Sequence, residues 1–176
     1  MAGQIVQDTE LPITKRVDAA HDLGILGYTG SYAQAKHTAA QYMPNIVELL
    51  RTPKLSDDHI IRVLEALSGL CFFRFTNQNK AQTLGLYYTL LELMAPASNV
   101  STTAKRWSCY LLNILCCNNI QIINHLRNSK ELQINLEQLA ILDWGSWPSN
   151  YPQELLSIIG FRQSTSQDVF HEETEF

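Results

Sequence analysis

The sequence predicts an all-α chain, folded as a superhelical solenoid of about three repeats with a C-terminal helical cap. The first observation is a recurring apolar spacing, in which Leu23, Leu67 and Leu112 occupy matching positions 44 and 45 residues apart. The second is a four-residue motif that begins with an apolar residue and Glu and ends with an apolar residue, and it starts 24 residues after each of these leucines. Because both patterns keep one offset, we expect each copy to be a group of helices that buries its apolar face against the next copy.

The first unit, residues 11–54, is predicted to contain one long helix and two shorter ones. Residues 14–27 form the long helix, with an apolar stripe that we expect to be buried. The stripe consists of Val17, Ala20, Leu23 and Leu26. A helix interior cannot accommodate Pro44 without the loss of a backbone hydrogen bond, so a break near Met43 separates the two shorter helices.

The second and third units, residues 55–99 and 100–144, repeat this order. Ser56 precedes two aspartates, and a serine with two carboxylates behind it is a favourable helix start. Ser101 occupies the corresponding position of the third unit. We expect a turn at residues 77–79, where two asparagines flank a glutamine.

The two ends of the chain differ from the repeats in composition. Residues 1–10 are expected to form a flexible lead. Residues 145–161 are predicted to be a cap, in which Trp147 and a short apolar helix cover the exposed end of the solenoid. Residues 162–176 are rich in Glu, Ser and Thr, which favours a flexible acidic tail.

The composition limits the classes of function. The chain has 176 residues, 45% of them hydrophobic and 17% charged, which is the balance of one globular domain. Its net charge of −4 disfavours nucleic acid and anionic membrane surfaces as partners. No signal peptide or membrane span is expected, and four cysteines without a secretory signal favour reduced thiols in the cytosol or nucleus.

Over residues 11–144 the sequence resembles the armadillo-repeat family. The segment Ala66-Leu67-Ser68-Gly69-Leu70-Cys71 is similar to the third-helix motif of that family, and the three Glu-containing motifs are similar to its second helix. Within the superfamily, the chain is most similar to the small armadillo-like helical domain-containing proteins. The resemblance implies an armadillo/HEAT-like, right-handed superhelix whose third helices line a concave groove.

The chain departs from the family at the groove. Family members that bind extended peptides place an asparagine before the motif leucine, where this chain has Ile25, Gly69 and Ile114. None of these side chains can donate a hydrogen bond. The expected groove is therefore apolar, and it would fit an apolar helix or a packed protein surface rather than a basic peptide.

These features predict a non-catalytic protein-protein interaction module or scaffold, with no cofactor and no metal. The expected contact surface on the concave face consists of Tyr28, Glu65, Phe72, Arg106, Tyr110 and Ile114. Aromatic residues would bury a partner's apolar side chains, and Glu65 and Arg106 would orient it. One alternative is an obligate structural subunit of a larger complex. Another is an enzyme that uses Cys116 and His125.

Three cysteines and a cluster of phenylalanines can each be interpreted as part of the core or as part of a functional site. Cys109, Cys116 and Cys117 lack the spacing of a metal site, and we interpret them as thiols of the core. The cluster at residues 72–75 has three phenylalanines within four positions. These cannot all face one core, so we expect at least one ring to be exposed or to pack into the next unit.

Overall fold

The chain is almost entirely helical in the computed structural model, which describes residues 1–30 and 33–161, without the side chains of 33–36. Within these residues there are eleven α-helices and no strand. The helices are α1 (Ala2–Gln7), α2 (Ile13–Thr29), α3 (Ala33–Gln41), α4 (Met43–Leu50), α5 (Asp57–Cys71), α6 (Phe75–Thr83), α7 (Leu86–Met94), α8 (Thr102–Cys116), α9 (Ile120–Leu126), α10 (Lys130–Ala140) and α11 (Tyr151–Ile159).

Four helices pack against each other in chain order. Helix α2 contacts α5, α5 contacts α8, and α8 contacts α11. Each of the four also packs against a further helix, since α1 packs on α2, α4 on α5, α7 on α8 and α10 on α11. The three leucines of the repeated spacing, Leu23, Leu67 and Leu112, are all buried in α2, α5 and α8. The repeated pattern therefore marks equivalent core positions of successive helices.

The predicted helix starts are present and are linked to each other. The Ser56 side chain accepts a hydrogen bond from the backbone N–H of His59 (3.4 Å), and that of Ser101 accepts one from Ala104 (3.2 Å). The backbone N–H of Ser101 in turn donates to the Asp57 carboxylate at 2.9 Å. The acidic first turn of α5 thus also holds the start of α8.

The flexible lead predicted for residues 1–10 is wrong, because most of this segment forms α1. Val6 is fully buried there, and its carbonyl accepts a hydrogen bond from Nε of Arg16 at 3.2 Å. Asp8 and Glu10 lie beyond the end of the helix. The apolar side of α1 covers α2 and α4.

The turn predicted at residues 77–79 is also wrong, because these residues lie inside α6. The chain turns earlier, at Phe73. The buried amides of Asn77 and Gln78 donate to the carbonyls of Leu70 (2.6 Å) and Cys71 (3.4 Å). The last carbonyls of a helix lack partners within that helix, so these two amides satisfy the end of α5.

Glycines bring α2 and α5 unusually close together. A Cβ atom added at Gly24 would lie 2.3 Å from Cα of Ala66, and one added at Gly69 would lie 2.5 Å from the carbonyl oxygen of Gly24. Gly27 also faces α5, and the predicted burial of Leu26 is wrong because that side chain is turned outward and is 37% exposed. At Gly24 and Gly69 the contact between α2 and α5 is thus made by backbone atoms.

The predicted C-terminal cap lies within the described residues, and the predicted tail does not. The short apolar helix is α11, with Leu155 and Ile159 fully buried, and it packs against α8, α9 and α10. Trp144 is buried before it, and its indole N–H donates to the carbonyl of Leu139 at 2.9 Å. The acidic tail predicted at residues 162–176 lies outside the described residues.

Replacement of Gly24 by alanine should destabilise the fold through the contact between α2 and α5. Because the nearest atoms belong to the α5 backbone, the helices must separate, and we expect the free energy of unfolding to fall by about 1–3 kcal/mol. Urea denaturation followed by circular dichroism measures this change. Gly145→Ala is the matched control, since the nearest neighbour of its Cβ would be the exposed carboxylate of Asp143. Equal stability of the two variants would contradict the close contact.

Candidate functional site

Three neighbouring hollows on one face of the molecule share the side chain of Tyr110. The first, of about 330 Å³, lies across α2, α5 and α8. The second, of about 380 Å³, lies between α8, α11 and the loop before α11. The third, of about 280 Å³, lies beside the ends of α5 and α8 and the start of α11. We call these three hollows together the aromatic groove.

Most of the residues predicted for the contact surface line this groove. Tyr28, Glu65, Phe72 and Tyr110 line the first hollow, and Phe72 and Tyr110 also line the third. Ile114 lies at the third hollow as well, although its side chain is almost fully buried. The sequence therefore placed five of its six candidate residues along this face.

Arg106 is the exception, because its side chain is directed elsewhere. The guanidinium donates a hydrogen bond to the backbone carbonyl of Asp143 and lies over the ring of Trp144, 5.6 Å from its centroid. Arg106 does not line any of the three hollows. Its cation instead holds the loop between α10 and α11 against α8.

Tyr110 lies at the centre of a network of aromatic contacts. Its ring is 5.5 Å from Trp107 and 5.0 Å from Tyr151, measured between centroids. Trp107 is in turn 5.2 Å from Trp147, at an interplanar angle of 75°. Edge-to-face arrangements of this kind are favourable for aromatic rings. The rings therefore hold one another in place along the groove.

Sequence reasoning missed three of the residues that line the groove: Trp107, Trp147 and Tyr151. Trp107 lies one turn before Tyr110 on the same face of α8, a spacing that could have revealed it. Tyr151 follows Tyr110 by 41 residues, close to the repeat length. Trp147 was assigned only to the cap, and its loop position has no periodic signal.

The groove contains little charge. The one ion pair at its edge joins Nε2 of His21 to the Glu65 carboxylate at 3.3 Å, with both side chains about one-third exposed. Burial raises the pKa of Tyr110, and the nearby Tyr28 phenol adds to that shift. Burial also raises the pKa of Tyr151, with smaller contributions from Tyr110 and Glu154. These phenols are therefore neutral hydrogen-bonding groups at physiological pH.

Phe73 is both exposed and held in an unusual backbone conformation. Its side chain is 75% exposed, its ring contacts Phe72 at 4.4 Å, and its φ of 50° is in the left-handed region. Asn118 follows the corresponding helix of the next unit with a φ of 58°. Asn is one of the few residues that tolerates this conformation, whereas a bulky side chain makes it costly.

The cysteines give little support to thiol chemistry. Burial raises the pKa of Cys71 and of Cys116 to about 12, and it raises that of Cys109 further. The core assignment of Cys117 is wrong, because α8 ends one residue earlier and its thiol is exposed. The His125 ring hydrogen-bonds to the Tyr87 hydroxyl at 2.6 Å. The described residues include no cluster of acidic, histidine or cysteine side chains suited to a metal.

We expect alkylation to separate the four thiols into two classes. With iodoacetamide at neutral pH, Cys117 should react at the rate of an ordinary exposed thiol, and the three buried cysteines should react only after denaturation. Peptide mass spectrometry over time measures each rate. Rapid labelling of Cys116 in the folded protein would contradict this assignment and would favour the enzyme alternative.

Replacement of Phe73 by asparagine should stabilise the protein. Asparagine tolerates a left-handed backbone, so we expect the free energy of unfolding to rise by about 1 kcal/mol in urea denaturation. Phe75→Asn is the matched control, because Phe75 is also about half exposed but does not have a positive φ. A loss of stability in Phe73→Asn would show that the ring contributes more than its backbone conformation costs.

None of the described helices has both the length and the hydrophobicity that crossing a membrane requires.

Comparison with known proteins places the chain in a family. No curated protein and no solved structure matches the chain significantly. The family model of armadillo-like helical domain-containing protein 2, however, matches residues 1–163 and so includes α1 and α11. This match confirms the resemblance drawn from the repeated motifs, and the chain belongs to the armadillo-like helical domain-containing protein 2 family.

Proposed function

We propose that this protein is a non-catalytic protein-interaction module or scaffold, which binds a partner through the concave face of a short armadillo-like array. The array would be a right-handed superhelix of about three units. The contacts of α2 with α5, of α5 with α8 and of α8 with α11 support this arrangement, since these helices form one row along which the hollows lie. The four free cysteines favour action in the cytosol or nucleus.

The observation that carries the proposal is the aromatic groove itself. Tyrosine and tryptophan dominate the energetically important positions of protein interfaces, since each combines a large apolar surface with a polar group. Here such residues are concentrated on one face and are only partly buried. Tyr28 is 57% exposed and Phe73 is 75% exposed, although they lie on either side of the half-buried Phe72. Contiguous exposed apolar surface of this kind is typical of a partner site.

The polar edge of the groove supports a role in orienting a partner. Glu65 lines the first hollow and is paired with His21 on the neighbouring helix. A partly exposed ion pair can exchange partners at low cost, because its net contribution to stability is small. Arg106 has no part in this role, because its guanidinium is already bound by the loop before α11.

The two alternatives require different features. An enzyme would need an activated nucleophile, and the raised pKa of Cys116 disfavours its thiolate. An obligate subunit would keep its apolar face permanently covered and should be poorly soluble alone. The interaction module is favoured over that subunit because the exposed apolar side chains outside the groove are dispersed, as at Tyr88 and Ile141.

Charge introduced into the groove should abolish partner capture without unfolding the domain. We expect the double variant Tyr28→Glu/Phe73→Glu to lose the proteins that the wild type retains in affinity purification, because burial of the new carboxylates is unfavourable. Quantitative mass spectrometry of the bound fraction measures the loss. Both side chains are exposed, so the helical circular dichroism should be unchanged.

The matched control is Tyr88→Glu, which changes a tyrosine of similar exposure on α7, outside the groove. Tyr88 is 59% exposed, compared with 57% for Tyr28. Proteins that bind through the groove should remain bound to this control variant. Retention of the same proteins by the groove double variant would refute the site.

A further inference from the structure

The second hollow of the groove has an aromatic lining without any charged side chain. Its walls are Trp107, Tyr110, Trp147 and Tyr151, and its remaining lining residues are Ser146 and Pro148. All four aromatic residues are partly buried and partly accessible. Neighbouring rings are 5.0–6.3 Å apart, at angles of 53–88°. The hollow is therefore a rigid apolar surface with several differently oriented ring faces.

The polar atoms of these four rings have no partner among the described residues. No hydrogen bond involves the indole N–H of Trp107 or Trp147, or the hydroxyl of Tyr110 or Tyr151. The buried Trp144 is different, because its N–H donates to a backbone carbonyl. A ligand in the hollow would therefore meet up to four free donors, two of which cannot accept a hydrogen bond.

These donors select among the possible kinds of ligand. An α-helix has no free carbonyl groups along its length, so its docking would cover the donors and leave them unsatisfied. An ordinary extended peptide has as many N–H groups as carbonyls, and the hollow offers few acceptors for them. A polyproline II segment has exposed carbonyls along its whole length, and its prolines carry no N–H. Its proline rings also pack against aromatic faces.

We propose that this hollow binds a proline-rich segment of a partner protein in the polyproline II conformation. The ring faces of Trp107 and Trp147 hold the prolines, and the indole and phenol groups donate to the backbone carbonyls. This assignment rests on the proposed interaction function and names the partner's chemistry. It replaces the apolar helix that the sequence suggested for this part of the groove.

The 176 residues of this chain contain no proline-rich segment. This chain has six prolines, and no two of them lie within three residues of each other. The nearest pair, Pro148 and Pro152, is part of the hollow or of α11. Residues 162–176 contain no proline. Neither a second copy of these 176 residues nor residues 162–176 can therefore supply the ligand, which favours a segment of another protein.

The test is titration of the full chain with an end-blocked decaproline peptide, followed by tryptophan fluorescence and calorimetry. We expect saturable binding, and no binding of a Gly-Ser peptide of equal length. Trp147→Ala should weaken binding about thirtyfold, as expected for a central aromatic contact. Trp147→Phe keeps a ring but removes the donor, so it should weaken binding about threefold to tenfold. Tyr88→Ala, a change outside the groove, should bind like the wild type.

Each result has a defined consequence. Absence of decaproline binding to the wild type overturns the proposal, and so does binding that Trp147→Ala leaves unchanged. Preferential binding of an amphipathic helical peptide also overturns it. In any of these cases, loss of captured proteins in the Tyr28→Glu/Phe73→Glu variant would still support the interaction function. The two proposals can therefore fail separately.

Discussion

The close contact between α2 and α5 is the constraint on which the rest of the architecture depends. Gly24 and Gly69 allow the two backbones to approach to a distance that any side chain would prevent. Helix α5 in turn packs against α8, and Asp57 also holds the first turn of α8 through the N–H of Ser101. The three helices are therefore connected in a row.

The same contact shapes the groove. The glycines form part of the lining of the first hollow without filling it, whereas Tyr28, Phe72 and Tyr110 stand at its sides. In a peptide-binding armadillo protein, the corresponding surface has polar side chains that grip a ligand backbone. Aromatic rings therefore make up a large part of the lining of the first hollow, and the two glycines contribute only backbone atoms.

The sequence predicted those parts of the structure that repeat. The offset of Leu23 and Leu67 identified equivalent core positions, and the serine caps marked the helix starts because capping is a local interaction. The errors occur where the role of a side chain depends on a hydrogen-bond partner that is distant in the sequence. From the sequence, Gln78 is predicted to be in a turn, but its amide donates to a carbonyl at the end of α5. Arg106 is predicted to be a free cation, but its guanidinium donates to the loop carbonyl of Asp143. Neither partner is visible in a local pattern.

The ends of α5 and α8 have the same backbone conformation but very different residues in it. Both helices are followed by a left-handed residue, which is Asn118 after α8 and Phe73 after α5. Both positions require a positive φ, yet only the bulky Phe73 incurs a steric cost of about 1–2 kcal/mol. A ring that is 75% exposed recovers little of that cost through burial within the chain. Under the proposed function, burial of Phe73 against a partner would compensate for this cost at the edge of the groove, where Phe73 contacts Phe72.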